Sequence, residues 1–191
     1  MLPDRYNRLG VDRPLRFVSY IASTGTQWID TGVAPDFAEG DSVEIDFDLP
    51  AYSNPTPDIF GSRGAGIKNG FYLTGAGYVS CDNYGYTVTQ TVTVGRHLFS
   101  ASDAGIINND AAYPMPRRVT CAQTMYLFAI NNDGSPSASN PNLKIYRWRY
   151  WRSGTLAKDL VPALSGGVPG LWDTVSRTFL HNAGTGTFNY A

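Results

Sequence analysis

Three carboxylates, Glu44, Asp46 and Asp48, alternate with Val43, Ile45, Phe47 and Leu49. On a β-strand alternate residues share a face, so the acids would line one side and the apolar chains the other. Same-side neighbours stand about 6.5–7 Å apart along a strand. Side chains can close that to the roughly 5–5.5 Å that a carboxylate nucleophile and a carboxylic acid need for retaining hydrolysis of a glycosidic bond. Against this, the third acid is Asp, whose reach is shorter than that of Glu. Alternating acids also arise on any solvated sheet face. The expectation is a structural strand, no catalytic residues and no enzyme. His97 and His181 have no Ser or Cys partner in a triad motif.

Other residue groups could bind rather than react. Asn108-Asn109-Asp110 and Asn131-Asn132-Asp133 cluster the hard oxygens that calcium takes. They are also ordinary turn residues, and EF-hand spacing is missing, so no cofactor and no metal site is expected, with calcium the alternative. Cys81 and Cys121 lie in no CxxC pair and near no histidine, which argues against zinc. They are two thiols or one disulfide, free thiols being the expectation. Trp28, Tyr52, Tyr84, Tyr86 and Tyr113 fall near predicted loops and are the candidate glycan-binding residues, since aromatic faces stack on sugar rings. The alternative for each is packing in the core or over a sheet edge. Arg147, Arg149 and Arg152 interleave with Trp148, Tyr150 and Trp151. That could be a platform for single-stranded nucleic acid, but it reads more simply as a strand with an aromatic and a cationic face.

The elements that would position these residues are short strands. Asp41–Leu49 is the clearest. Arg16–Val33 reads as two strands hinged at Gly25, and 51–58, with Pro55 and Pro57, reads as a loop. Strands follow at Ile59–Arg63, Phe71–Thr74 and Tyr78–Asp82. Tyr86–Val94 alternates Val with Thr, which predicts one exposed face. Arg96–Ile107 predicts two strands around a turn near Asp103–Gly105. Met125–Ile130 is an apolar run fitting a central strand, and Asn131–Asn142, holding Pro136 and Pro141, predicts a long loop. Leu143–Trp151 and Thr155–Val161 predict a hairpin turning at Ser153-Gly154, and Gly170–Tyr190 two or three short strands. No segment holds a helical period over three turns. Many short strands at this spacing indicate a sandwich or barrel.

The two ends carry specific motifs. One is Tyr20-Ile21-Ala22-Ser23-Thr24-Gly25-Thr26-Gln27-Trp28-Ile29-Asp30-Thr31-Gly32. The centre holds Met125-Tyr126-Leu127-Phe128-Ala129-Ile130-Asn131. The close holds Lys144-Ile145-Tyr146, Gly154, Leu156, Asp159, Val161-Pro162-Ala163, Gly167, Gly170-Leu171, Asp173, Val175, Phe179, Asn182, Gly184-Thr185-Gly186 and Phe188. Over about 17–189 these resemble the concanavalin A-like (laminin-G-like) jelly-roll domains of phage and gut-bacterial surface proteins. The resemblance implies an all-β fold, a sandwich of two antiparallel sheets, and no particular activity. Laminarinase-type glycoside hydrolases share that jelly roll and carry a strand resembling the one at Glu44, but the surrounding sequence does not follow them. Asp30, Asp159 and Asp173 sit near glycines or turns and should accept local backbone N–H groups.

The 191 residues suit one domain. Charged residues are 16% and aromatics 13%, with 20 Gly and 12 Pro, which fits a compact β-protein. The net charge of −1 gives no footprint for nucleic acid or an anionic membrane. No apolar run spans a bilayer and no signal peptide is visible. Residues 1–16 read as an N-terminal arm, with Arg5, Tyr6, Arg8 and Arg13 as docking residues, and 17–191 as the sandwich domain. The expected role is a non-catalytic virion protein of a bacteriophage, a capsid decoration or tail subunit. It would dock on other virion subunits, and it could oligomerise or contact host or environmental glycans. The alternative is a free-standing glycan-binding adhesin at a gut-bacterial surface, with a glycoside hydrolase a distant third.

Overall fold

The computed structural model describes residues 14–50, 58–64, 70–74, 78–81, 86–89, 94–109, 111–113, 120–137 and 141–191. They form an all-β sandwich of two sheets, compatible with a jelly roll. The larger sheet runs in space as Ala111–Tyr113, Gly105–Asn108, Gly95–Ser102, Ser42–Leu49, Lys144–Arg152, Thr155–Ser165, Val168–Asp173 and Thr178–Leu180. The smaller runs as Ser135–Pro136, Asn131–Asn132, Asp58–Arg63, Gly70–Thr74, Tyr78–Cys81 and Tyr86–Thr89, with Tyr126–Leu127 bridging Ile29–Asp30 to Asp58–Arg63. Among the described residues the helical content is one 3₁₀ turn, Phe37–Glu39.

Strand Ser42–Leu49 alternates as the sequence predicts: Val43, Ile45, Phe47 and Leu49 are buried and the intervening acids half-buried. The buried row pairs with Phe99 and Ala101 on one side and with Ile145, Trp148 and Tyr150 on the other. Phe60 of the smaller sheet meets Phe99 of the larger edge to face, their centroids 6.0 Å apart, so these rings join the two layers. Each such fully buried aromatic contributes about 1.5–3 kcal/mol relative to exposure.

The conspicuous terminal motifs are the closure of the sandwich. Gln27 is fully buried. Its Oε1 accepts from Ser23 Oγ at 3.2 Å and the Thr24 N–H at 2.6 Å. Its Nε2 donates to Thr24 Oγ1 at 2.8 Å and to the Thr185 carbonyl at 2.9 Å. Asn182 Oδ1 accepts from the Trp28 N–H, and the Ala183 N–H donates to the Trp28 carbonyl at 2.8 Å. A Cβ on Gly184 would stand 2.1 Å from the Thr26 carbonyl oxygen, so only glycine lets the two ends approach this closely. A second buried network holds the 3₁₀ turn. The Asp41 carboxylate accepts from the Tyr150 hydroxyl, from the Asp36 N–H at 3.1 Å and from the Ser153 N–H at 3.2 Å. Burial, with the hydrogen bond to Asp41 second, lifts Tyr150 well above the ordinary tyrosine range.

The structure corrects three expectations. The apolar run Met125–Ile130 is buried, but only Tyr126–Leu127 is strand, because Phe128 turns at a φ of +69° and donates its N–H to the Ile59 carbonyl. The region expected as a long loop holds a hairpin of Asn131–Asn132 and Ser135–Pro136. Its turn, Asp133-Gly134, has positive φ at both residues, the geometry Asp-Gly favours. Leu15 and Arg16, assigned to the arm, belong to the strand Leu15–Phe17, paired with Ala163–Ser165. The rest of the arm, with Arg5, Tyr6, Arg8 and Arg13, lies outside the described residues. The hairpins expected at Asp103–Gly105 and Ser153-Gly154 are present.

Candidate functional site

The outward face of the larger sheet collects the acids. Each carboxylate of Ser42–Leu49 is committed to a cation. Arg149 binds Glu44, its Nε at 3.0 Å from Oε1. Arg96 binds Asp46 through two bonds of 2.8 Å, and Lys144 reaches Asp48 at 2.8 Å. The arrangement is a ladder of alternating charge across three strands, which cross-strand pairing favours. Hydrogen bonding to Asp46 lifts Arg96, and hydrogen bonding to Asp48 lifts Lys144, above their usual ranges. Surface pairs of this kind contribute at most about 1 kcal/mol each. Their consequence is chemical: a hydrolase needs one carboxylate free to attack and another free to donate a proton. Here the candidates point at guanidinium and ammonium groups.

Rings lie over the same ladder. The Arg96 guanidinium sits 3.9 Å from the centroid of Tyr146, and the Lys144 ammonium 5.3 Å from that of Tyr20. The two tyrosines meet edge to face at 5.7 Å. Arg149 lies 5.4 Å from the Trp151 ring. Leu98 and Ile107 add apolar surface, each about half exposed. Sequence reasoning missed Tyr20, Tyr146 and Arg96. A bulge between Ile145 and Arg147 puts two residues opposite one, so Tyr146 and Arg147 both leave the core side. Nothing in Lys-Ile-Tyr-Arg-Trp-Arg announces that break of phase. Trp148 and Tyr150 are core, as the expected division of this strand into an aromatic inner and a cationic outer face has it, but Trp151 falls on the outer face beside Arg149, an odd number of residues from both.

Two buried aspartates flank this face. Arg147 grips Asp159 through bonds of 2.7 and 2.8 Å, and Thr174 Oγ1 donates to it at 2.8 Å. These partners, Arg147 foremost, hold Asp159 below the usual carboxylate range. Burial opposes ionisation of Asp173, but bonds from Ser176, Lys158 and the Asp159 and Val175 N–H groups outweigh it and hold this carboxyl low too. Asp30 accepts the Gly32 N–H at 2.8 Å. Asp30 and Asp173 thus take local backbone donors as expected, while Asp159 takes side chains.

The other candidates are spread apart. Trp28 is half-buried and stacks on Tyr126, centroids 4.2 Å apart, so one of its faces is covered. Tyr86 and Tyr113 fall in the strands Tyr86–Thr89 and Ala111–Tyr113. Tyr52 and Tyr84 lie outside the described residues. The amide oxygens of the proposed calcium clusters are engaged. Asn108 Oδ1 meets His97 Nδ1 at 2.9 Å, and Asn109 Oδ1 accepts the Leu98 N–H at 2.9 Å. Asn131 Oδ1 accepts the Gly134 N–H, Asn132 Oδ1 accepts from Arg63, and Asp133 Oδ1 accepts from Gln123. Asp110 lies outside the described residues. His97 is buried against Phe47 at 5.4 Å. Cys121 is a buried free thiol. Among the described residues no helix is long and apolar enough to cross a membrane.

No family model matches the chain, and a search of the curated proteins finds no match.

Proposed function

We propose that this chain works by binding: a non-catalytic sandwich of the concanavalin A-like jelly-roll type, carried on a bacteriophage virion as a capsid-decoration or tail subunit. It docks on neighbouring protein subunits, and its outer sheet face contacts glycans. The observation that carries the non-catalytic part is the pairing of Glu44, Asp46 and Asp48 with Arg149, Arg96 and Lys144. The assignment to a virion rests on the resemblance of the terminal motifs to phage jelly-roll domains. The aromatic residues of the ladder support the glycan contact, since Tyr20, Tyr146 and Trp151 are half-buried rings beside hydrogen-bonding groups. The same face would serve a gut-bacterial adhesin, the second reading.

Two measurements test this. Density-banded particles from a lysate of cells carrying the gene should contain the chain at fixed stoichiometry to the major capsid protein; a chain found only in the soluble fraction overturns the virion reading. Incubation with β-glucans should release no reducing ends; release that disappears in Glu44→Gln overturns the non-catalytic reading.

A further inference from the structure

Among the described residues, Leu15–Phe17 and Asn189–Tyr190 of the larger sheet each pair along one side only. Lys144–Arg152 and Thr155–Ser165 pair from the hairpin as far as Trp148 and Leu160. Beyond that point segments near the two chain ends lie between them. Leu15–Phe17 pairs with Ala163–Ser165, on the side opposite Val168–Gly170. Ile21–Ala22 pairs with Lys144–Ile145, and Asn189–Tyr190 pairs with the far side of Ile21–Ala22. Leu15–Phe17 and Asn189–Tyr190 thus face each other across a groove of about 440 Å³, lined by Arg16, Phe17, Val18, Ser19, Tyr190 and Ala191.

Both walls present backbone. Val18 donates its N–H to the Pro162 carbonyl at 3.1 Å. By the alternation of an antiparallel ladder, Arg16 spends its backbone groups, and Val18 its N–H, on Thr155–Ser165, while Leu15 and Phe17 turn theirs toward the groove. Ser19 and Tyr20 donate to the Ala191 carbonyl, so on the opposite wall the backbone of Tyr190 faces the groove. The groove also holds one cationic side chain, Arg16, and two aromatic rings, Phe17 and Tyr190. The Arg16 guanidinium lies 5.9 Å from the Tyr190 ring. Among the described residues it forms no ion pair. Phe17 is 60% exposed and Tyr190 43%. The sequence leading into this edge is basic, with Arg5, Arg8, Arg13 and Arg16 against Asp4 and Asp12.

We propose that this groove takes an extended acidic segment of a partner protein by strand insertion. The segment hydrogen-bonds to the backbone of Leu15, Phe17 and Tyr190 and sets a carboxylate against Arg16. Unpaired strand edges give such binding its affinity, and the flanking side chains its selectivity. The inference rests on the binding reading above and specifies how docking occurs.

The test uses fluorescence anisotropy with the full chain and two labelled Thr/Val-alternating peptides, one with a central Glu and one with a central Lys. The Glu peptide should bind saturably and about tenfold more tightly than the Lys peptide, and Arg16→Glu should reverse that order. Phe17→Pro removes a groove-facing N–H while sparing the ladder bonds of Arg16 and Val18, a substitution edge strands tolerate. It should abolish binding with the circular dichroism spectrum unchanged. If Phe17→Pro unfolds the chain, the Arg16→Glu reversal decides alone. Absence of saturable binding, an unreversed order, or a self-association lost in Arg16→Glu, which would make a second copy the occupant, overturns the proposal. A chain that bands with particles yet binds neither peptide sinks the strand insertion alone; one that binds the Glu peptide yet never bands with particles sinks the virion reading alone.

Discussion

Replacing Gln27 with Glu changes one group, an NH₂ for an oxygen, at the centre of the motif that joins the chain ends. In the native network Nε2 donates to Thr24 Oγ1, Thr26 Oγ1 and the Thr185 carbonyl. The Thr26 hydroxyl already donates to the Thr185 carbonyl at 2.9 Å, while that of Thr24 can rotate to donate to a carboxylate. The Thr185 carbonyl cannot, and it would face a negative oxygen at the 2.9 Å now spanned by a hydrogen bond. The Thr185 carbonyl keeps the bond it accepts from Thr26 Oγ1 at 2.9 Å, so the change costs the Gln27 bond, about 0.5–1.5 kcal/mol, and desolvating the new charge and setting it against that carbonyl oxygen add to it. The Thr24 and Thr26 N–H groups still donate to the other oxygen, which limits the charge penalty. A loss of about 3 kcal/mol, at roughly 2–4 °C per kcal/mol for a domain of this size, lowers Tm by about 6–12 °C. The loss carries a pH signature. The folded protein favours the protonated glutamic acid, so the folded pKa lies above the unfolded value of about 4.3. The difference from wild type then shrinks as pH falls through the folded value. Differential scanning fluorimetry of both proteins across acid pH measures it. A Tm within about 2 °C of wild type at neutral pH, or a gap that does not narrow in acid, would refute the reading of this motif as architectural.

Further outcomes follow from the same contacts. Gly184→Ala should destabilise by about 3 kcal/mol or more, because the added carbon meets a carbonyl rather than a movable side chain; a urea midpoint like that of wild type would contradict this. Tyr150→Phe should cost about 1–3 kcal/mol by taking a donor from the buried Asp41 carboxylate, read as a shift in urea midpoint without a change in slope. Asp159 and Asp173 are held low in the folded state, so the stability they supply is complete above the unfolded carboxyl pKa of about 3.9 and is lost as pH falls through their lower folded values. Burial raises Asp58, although Ser137 and Arg63 pull it back, so this residue acts in the opposite sense. Urea midpoints should therefore fall with acid below about pH 4, and Asp159→Asn should flatten that fall; an undiminished slope in the variant would count against the Arg147 pair.

How much of this was legible in the residues depends on the range of the interaction. Ser42–Leu49 was readable because a period of two reports burial directly, and Asp103–Gly105 and Ser153-Gly154 because turn chemistry is local. Asp133-Gly134 carried the same local signal, but Pro136 and Pro141 outweighed it in the reading of that stretch. The nature of the candidate site was settled by contacts no spacing encodes. Whether Glu44, Asp46 and Asp48 face each other or face Arg149, Arg96 and Lys144 depends on which strands become neighbours and in which register. Tyr146 reaches the outer face only through a bulge formed against Ser42–Leu49. The groove, likewise, exists because segments near both chain ends enter between Lys144–Arg152 and Thr155–Ser165. The sequence alone determined that the chain would fold as stacked sheets, since alternation and turns are properties of neighbouring residues. Tertiary structure decided which charges are paired and which backbone edges are bare, since those depend on residues up to a hundred or more positions apart.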